Sequence, residues 1–82
     1  MAYYEERVAK AQALVRYAER GFKHSVIETA GAVTQMAAAS NIDAVPELLE
    51  HLLLEYEILK EVRADLERAM KYLEEEKTHG SD

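Results

Sequence analysis

From Val45, beside Pro46, the sole proline, a leucine-type residue returns every seven positions: Val45, Leu52, Leu59, Leu66 and Leu73. A second apolar row, a half-turn on, runs through Leu48/Leu49, Tyr56, Val62 and Ala69/Met70. This spacing puts both rows on one face of a helix. It predicts a helix from about Ala44 to about Lys77, on the order of 45–50 Å long at ~1.5 Å per residue. Between Leu48 and Leu59 the apolar character is wide, taking in Leu53, Leu54, Tyr56 and Ile58. That part needs cover on several sides. After Lys60 it narrows to Val62, Leu66, Ala69, Met70 and Leu73, the mark of a seam against one or two neighbouring helices.

The first half of the chain carries a similar stripe. Tyr4, Val8, Ala11, Val15, Ala18 and Phe22 recur in steps of three and four, widened by Leu14 and Tyr17. This predicts an amphipathic helix opening near Ala2 or Tyr3. Glu5 and Glu6 suit its positive N-terminal end, and Arg16, Arg20 and Lys23 suit a C-terminal end nearby. Gly21 divides two readings. In the preferred one it ends the helix as a left-handed cap, and Ser25 with Glu28 opens a second helix as a capping box. In the alternative the helix runs on to Ser40, because the stripe stays in phase through Val26, Ala30, Val33 and Ala37; the glycine then costs about 1 kcal/mol. Ser25–Ser40 is rich in small residues, which suits a thin core helix.

Ser40 to Pro46 is the one clear turn. Asn41 can take a positive φ to end the preceding helix. Asp43 is a suitable N-cap, Pro46 fits a first helical turn, and Ile42 is expected to tuck back into the core. No stretch alternates apolar and polar residues for long enough to form a strand. The fold class is therefore all-α: a helical hairpin followed by a long C-terminal helix, dimerising into a bundle. The alternative is two long antiparallel helices per chain, with a four-helix bundle as the dimer. A single helical domain spans 1–77, and 78–82 form a frayed, disordered tail.

Composition sharpens the case for association. A chain of 82 residues with no cysteine has no disulfide and no cysteine–zinc site to support a small core. Oligomerisation is the remedy with sequence support. In the three-helix reading two short helices cover only half of the long one, leaving Val62–Leu73 bare; in the two-helix reading a lone hairpin encloses no core. Both readings lead to a homo-oligomer, most simply a twofold dimer. The expected interface comprises Leu59, Val62, Leu66, Ala69, Met70 and Leu73, with Tyr3 and Tyr4. Tyrosine suits interfaces because its ring is buried while its hydroxyl stays wet; Tyr17 and Tyr56 are read as edging the core.

The formal charge is −6, unevenly placed: residues 1–41 carry five Lys or Arg against four Glu, and residues 42–82 five against twelve Asp or Glu. The acidic half repels phosphate backbones, so direct nucleic-acid binding is not expected. The N-terminus lacks the apolar core of a secretory leader, and no run approaches the ~18 apolar residues of a membrane span. The expectation is a cytoplasmic chain with no membrane contact.

Candidate chemistry is sparse. Glu47, His51 and Glu55 are spaced by four on one helical side, and His24 has Glu28 four residues on; these are the weak candidates for a metal. The di-metal signature of helical bundles is Glu-x-x-His, and its glutamate position here is Leu48. Helical ion pairs around an exposed His51 are the preferred reading, and His79 belongs to the tail. Ser25 and Ser40 read as helix-end residues, and no nucleophile elbow, P-loop or dinucleotide fingerprint occurs. The stretch from Leu14 through Arg20, Phe22 and His24 to Ala30 resembles the helical hairpin of HEPN-type domains. RNA-cleaving members space their Arg and His more widely than the three residues between Arg20 and His24, so no role is carried over. The functional expectation is a non-catalytic interaction or regulatory protein with no cofactor, partnered by itself. An acidic inhibitor docking on a basic or nucleic-acid-binding protein is the alternative, and a metal-binding bundle the third reading.

Overall fold

The computed structural model describes residues 2–80, and the side chains of residues 3–78. Two α-helices of 36 residues each, α1 (Ala2–Ala37) and α2 (Val45–Gly80), pack against each other as an antiparallel hairpin. They form a rod with extents of 62 × 13 × 11 Å. A short 3-10 turn over Ile42–Ala44 joins them. There is no strand among the described residues.

The three-helix arrangement is thereby corrected in favour of the two-helix one. α1 passes through Gly21 without interruption, and no glycine among the described residues has a positive φ. Ser25 opens no helix; it sits in the middle of α1, buried against α2. Arg16, Arg20 and Lys23 consequently stand in mid-helix, away from any helix end. The physical reason is cooperativity. Breaking α1 at Gly21 loses a turn of backbone hydrogen bonds and creates two more ends to cap, against a glycine penalty of only about 1 kcal/mol.

The contact is a heptad seam. On α1 it runs through Tyr4, Val8, Ala11, Val15, Ala18, Phe22, Ser25, Thr29, Ala32 and Met36, all buried or half-buried. On α2 it runs through Leu48, Leu52, Glu55, Leu59, Val62, Leu66, Ala69, Leu73 and Glu76, likewise buried or half-buried. Three contacts fix the register: the Tyr4 hydroxyl donates to the Lys77 carbonyl at 3.4 Å, Arg7 pairs with Glu76 at 2.6 Å, and the Thr29 hydroxyl reaches the Glu55 carbonyl at 3.5 Å. This register sets Ala11 level with Leu73, Ala18 with Leu66, Phe22 with Val62 and Ala32 with Leu52. Three of these four pairs set an alanine of α1 (Ala11, Ala18, Ala32) against a leucine of α2, which lets the helices approach closely; Phe22 against Val62 reverses the sizes.

The connection differs from the expectation in detail. Asn41 is extended (φ −105°, ψ 112°) rather than left-handed, and its side-chain oxygen accepts the Asp43 amide at 3.0 Å. Asn41, not Asp43, is therefore the cap, and it caps the 3-10 turn. Pro46 is the second residue of α2, where its missing N–H costs nothing. Ile42 points outward, 82% exposed, because a tight turn held by Asn41 leaves no slack to fold it back. α2 continues through Gly80, beyond the expected end at Lys77 and into the segment expected to be disordered; residues 81–82 of that segment lie outside the described residues.

Candidate interaction surface

The hairpin's own core is thin. Among the described residues the buried apolar ones are Ala11, Val15 and Ala32, and no large side chain is fully buried. Against these, fourteen large apolar residues stand exposed among the described ones. Most lie on the two broad faces of the rod; Ile42 stands at the loop tip, Ile27 on the outer edge of α1, and Leu53 and Leu54 flank the outer edge of α2, where with Glu50 and Glu57 they line one hollow.

One face carries the heptad row Glu5, Gln12, Glu19, Val26, Val33 on α1 and the row Leu49, Tyr56, Arg63, Met70, Lys77 on α2. Its half next to the loop is apolar: Val26, Val33, Leu49, Leu53 and Tyr56 are between 42% and 53% exposed. Its half next to the chain ends is charged, with Met70 alone among the large apolar residues. We call this the Val33 face.

The opposite face lies roughly 150° around each helix, at ~100° per residue. A shallow hollow of about 410 Å³ opens there, lined by Gly21, His24, Ser25, Glu28, Glu55, Ile58 and Val62. Gly21 shapes it, since a Cβ built there meets no atom within 4 Å. Leu14, Tyr17, Leu54 and Tyr72 are exposed along the same side. Tyr17, at 78% exposure, does not edge the core. We call this the Ile58 face.

Two polar positions interrupt the seam. Near the chain ends Glu76 is 8% exposed and its carboxylate meets the Arg7 guanidinium at 2.6 Å, at an angle too oblique for a directed hydrogen bond. Arg7 also lies 5.4 Å from the ring centroid of Tyr3. In the middle, Ser25, Thr29 and Glu55 form a polar layer. The Thr29 hydroxyl donates to the Ser25 carbonyl at 2.8 Å, whereas the buried Ser25 hydroxyl has no hydrogen-bond partner. Elsewhere the ion pairs are solvent-facing and local: Lys60 with Glu57 at 3.0 Å, Arg63 with Glu67 at 3.2 Å, and Arg68 with Asp65. Hydrogen bonding to Glu57 raises the Lys60 pKa above its ordinary value. The same ammonium lies 5.1 Å from the centroid of the Tyr56 ring.

The expected site residues are distributed as follows. Leu59, Val62, Leu66, Ala69 and Leu73 are half-buried in the seam facing α1, and Tyr4 joins them. The bare Val62–Leu73 stretch of the three-helix reading does not exist, because α1 runs alongside it. Met70 (52% exposed) and Tyr3 (70%) point outward. Glu47 and His51 are exposed while Glu55 is half-buried in the seam. Among the described residues no group of three or more His, Asp or Glu side chains converges as a metal ion requires. His24 pairs with Glu28 at 3.8 Å and leaves the Ser25 hydroxyl unbonded, so the two form no nucleophile–base pair. Sequence reasoning missed the Arg7–Glu76 pair; carrying the α2 heptad one step past Leu73 leads to Glu76.

No family model, curated protein or solved structure matches the chain. Among the described residues no helix is long and apolar enough to cross a membrane.

Proposed function

We propose that the chain is a non-catalytic interaction protein acting as a homo-oligomer, with two hairpins pairing into a four-helix bundle. The observation that carries this reading is the imbalance between core and surface. Three residues no larger than valine make up the buried apolar set, while Val33, Leu49, Leu53 and Tyr56 stand about half exposed. Fully burying a large apolar side chain is worth about 1.5–3 kcal/mol, so completing the burial of one already half covered is worth about half of that. A second hairpin covers several at once, and it has the right size. The rod is 62 Å long, so a second hairpin lying along it meets the face over its whole length. Bundles of this kind place their bulk where four helices meet, which a lone helix pair cannot do. The alternative of an acidic surface docking on a basic partner is supported only by the net charge of −6.

Sedimentation equilibrium over a wide concentration range tests the reading. The expected result is a dimer at tens of micromolar, and a monomer there defeats it.

A further inference from the structure

We infer that the second copy lies on the Val33 face, with the two loops at the same end of the bundle. This rests on the pairing proposed above and adds its face and its orientation.

In each hairpin, residues of the Val33 face whose numbers sum to about 82 stand level across the two helices, in line with the Tyr4–Lys77 and Arg7–Glu76 contacts. A twofold axis along the rod sets α1 of one copy over α2 of the other at the same level. Val33 then lies over the partner's Leu49, Val26 over the partner's Tyr56, and Glu19 over the partner's Arg63. Apolar meets apolar near the loops, and opposite charges meet near the chain ends. The other twofold arrangement, with the loops at opposite ends and full overlap, sets each helix over its own copy. Val33 then lies over the partner's Glu5, and Glu19 over the partner's Glu19. This buries apolar groups against a charge and places like charges together, both unfavourable. Among the described residues Glu5, Glu19 and Lys77 make no ion pair, and the same-end arrangement gives each one.

Charge also selects the face. The rows of the Ile58 side hold Glu28, Glu47, Glu61, Asp65 and Glu75 against Lys10 and Arg68, with Arg7 already committed to Glu76. Two such faces repel each other. On the Val33 side Glu5, Glu19, Glu67 and Glu74 are balanced by Arg16, Lys23, Arg63 and Lys77, with Lys60 already committed to Glu57.

The test uses the full chain, which has no native cysteine. A nitroxide on Ile42→Cys, at the 82% exposed loop tip, reports the loop-to-loop distance by pulsed electron resonance. Sedimentation of the same labelled protein runs beside it. The expected result is a dimer whose spin–spin distance is well under half the 62 Å length of the rod. A dimer with a distance near or above that length overturns the orientation and leaves the pairing intact. A monomer overturns both. For the face, Val33→Glu is expected to weaken the dimer at least tenfold while far-UV ellipticity is retained, and Tyr17→Glu to leave it unchanged; the reverse pattern overturns the assignment. A charge swap supplies a second arm that spares the apolar contacts. Glu19→Lys is expected to weaken the dimer several-fold, and adding Arg63→Glu to restore it; no restoration argues against the Glu19–Arg63 apposition.

Discussion

Replacing Gly21 by alanine separates a continuous α1 from a broken one, because the two predict opposite signs. In the continuous helix Gly21 is an interior position with no positive φ. A Cβ placed there meets nothing within 4 Å, and the same holds at Gly31. Alanine is therefore free to act through the backbone alone. Glycine in a helix interior is about 0.8–1 kcal/mol less favourable than alanine, since it loses more conformational freedom on folding. Each substitution is expected to stabilise the protein by about 0.5–1 kcal/mol. Gly21 and Gly31 stand about 15 Å apart along the helix at ~1.5 Å per residue, so the double variant should gain the sum, about 1–2 kcal/mol. For a chain of this size that corresponds to a rise in Tm of about 4–8 °C per kcal/mol. Urea unfolding followed by helical ellipticity gives the number, with protein concentration held fixed because self-association raises apparent stability. A less stable Gly21→Ala protein refutes the reasoning. It is the result required if Gly21 were a left-handed cap, where a Cβ costs about 1 kcal/mol or more. A loss that appears only at high concentration would have another meaning: a partner helix crossing at the Gly21 hollow.

Three further outcomes follow from the seam. Arg7→Ala leaves the Glu76 carboxylate, 8% exposed, without its cation; with Arg7 itself 38% exposed in its side chain, a loss of about 1–2 kcal/mol is expected in urea unfolding. Ser25→Ala removes a buried hydroxyl that has no hydrogen-bond partner and keeps the carbonyl that accepts from Thr29, so the variant should match or exceed the parent by up to about 1 kcal/mol. Ile42→Asp places a charge on a side chain 82% exposed and should move stability by less than about 0.5 kcal/mol in thermal melts; a larger loss would mean that Ile42 is covered after all.

In α2 the row Leu52, Leu59, Leu66 and Leu73 was legible in the sequence because it keeps the heptad period, and so was the turn around Pro46; in the second row Tyr56 is instead 49% exposed and Glu55 takes the inward place. The seam of α1 was legible only to Phe22. Beyond it, the apolar residues Val26, Ala30, Val33 and Ala37 step by four, four, three and four from Phe22, and that path slides off the contact line. The true line continues through Ser25, Thr29, Ala32 and Met36, residues that hydrophobicity alone does not mark as inward. They face inward because α2 presents Leu59, Glu55, Leu52 and Leu48 at those levels, and small or polar groups fit against them where valine would hold the helices apart. The error is informative. A helix making a single contact gains little from a second apolar row on its flank, since Val26 and Val33, 42% and 47% exposed, recover only part of what full burial gives. Such a row gains its full stabilising value only when a further surface covers it. Val26 and Val33 stand at the levels of Tyr56 and Leu49, where the inward line is thinnest, so the bulk missing between α1 and α2 is carried on the flank. That is the distribution expected of a chain whose full core forms between two hairpins, and the urea and sedimentation behaviour of Val33→Glu tests it directly. The variant should lose the dimer and the stability that the dimer confers, while the remaining stability becomes independent of concentration. A Val33→Glu protein as stable and as concentration-dependent as the parent would mean that the flank row is surface and nothing more.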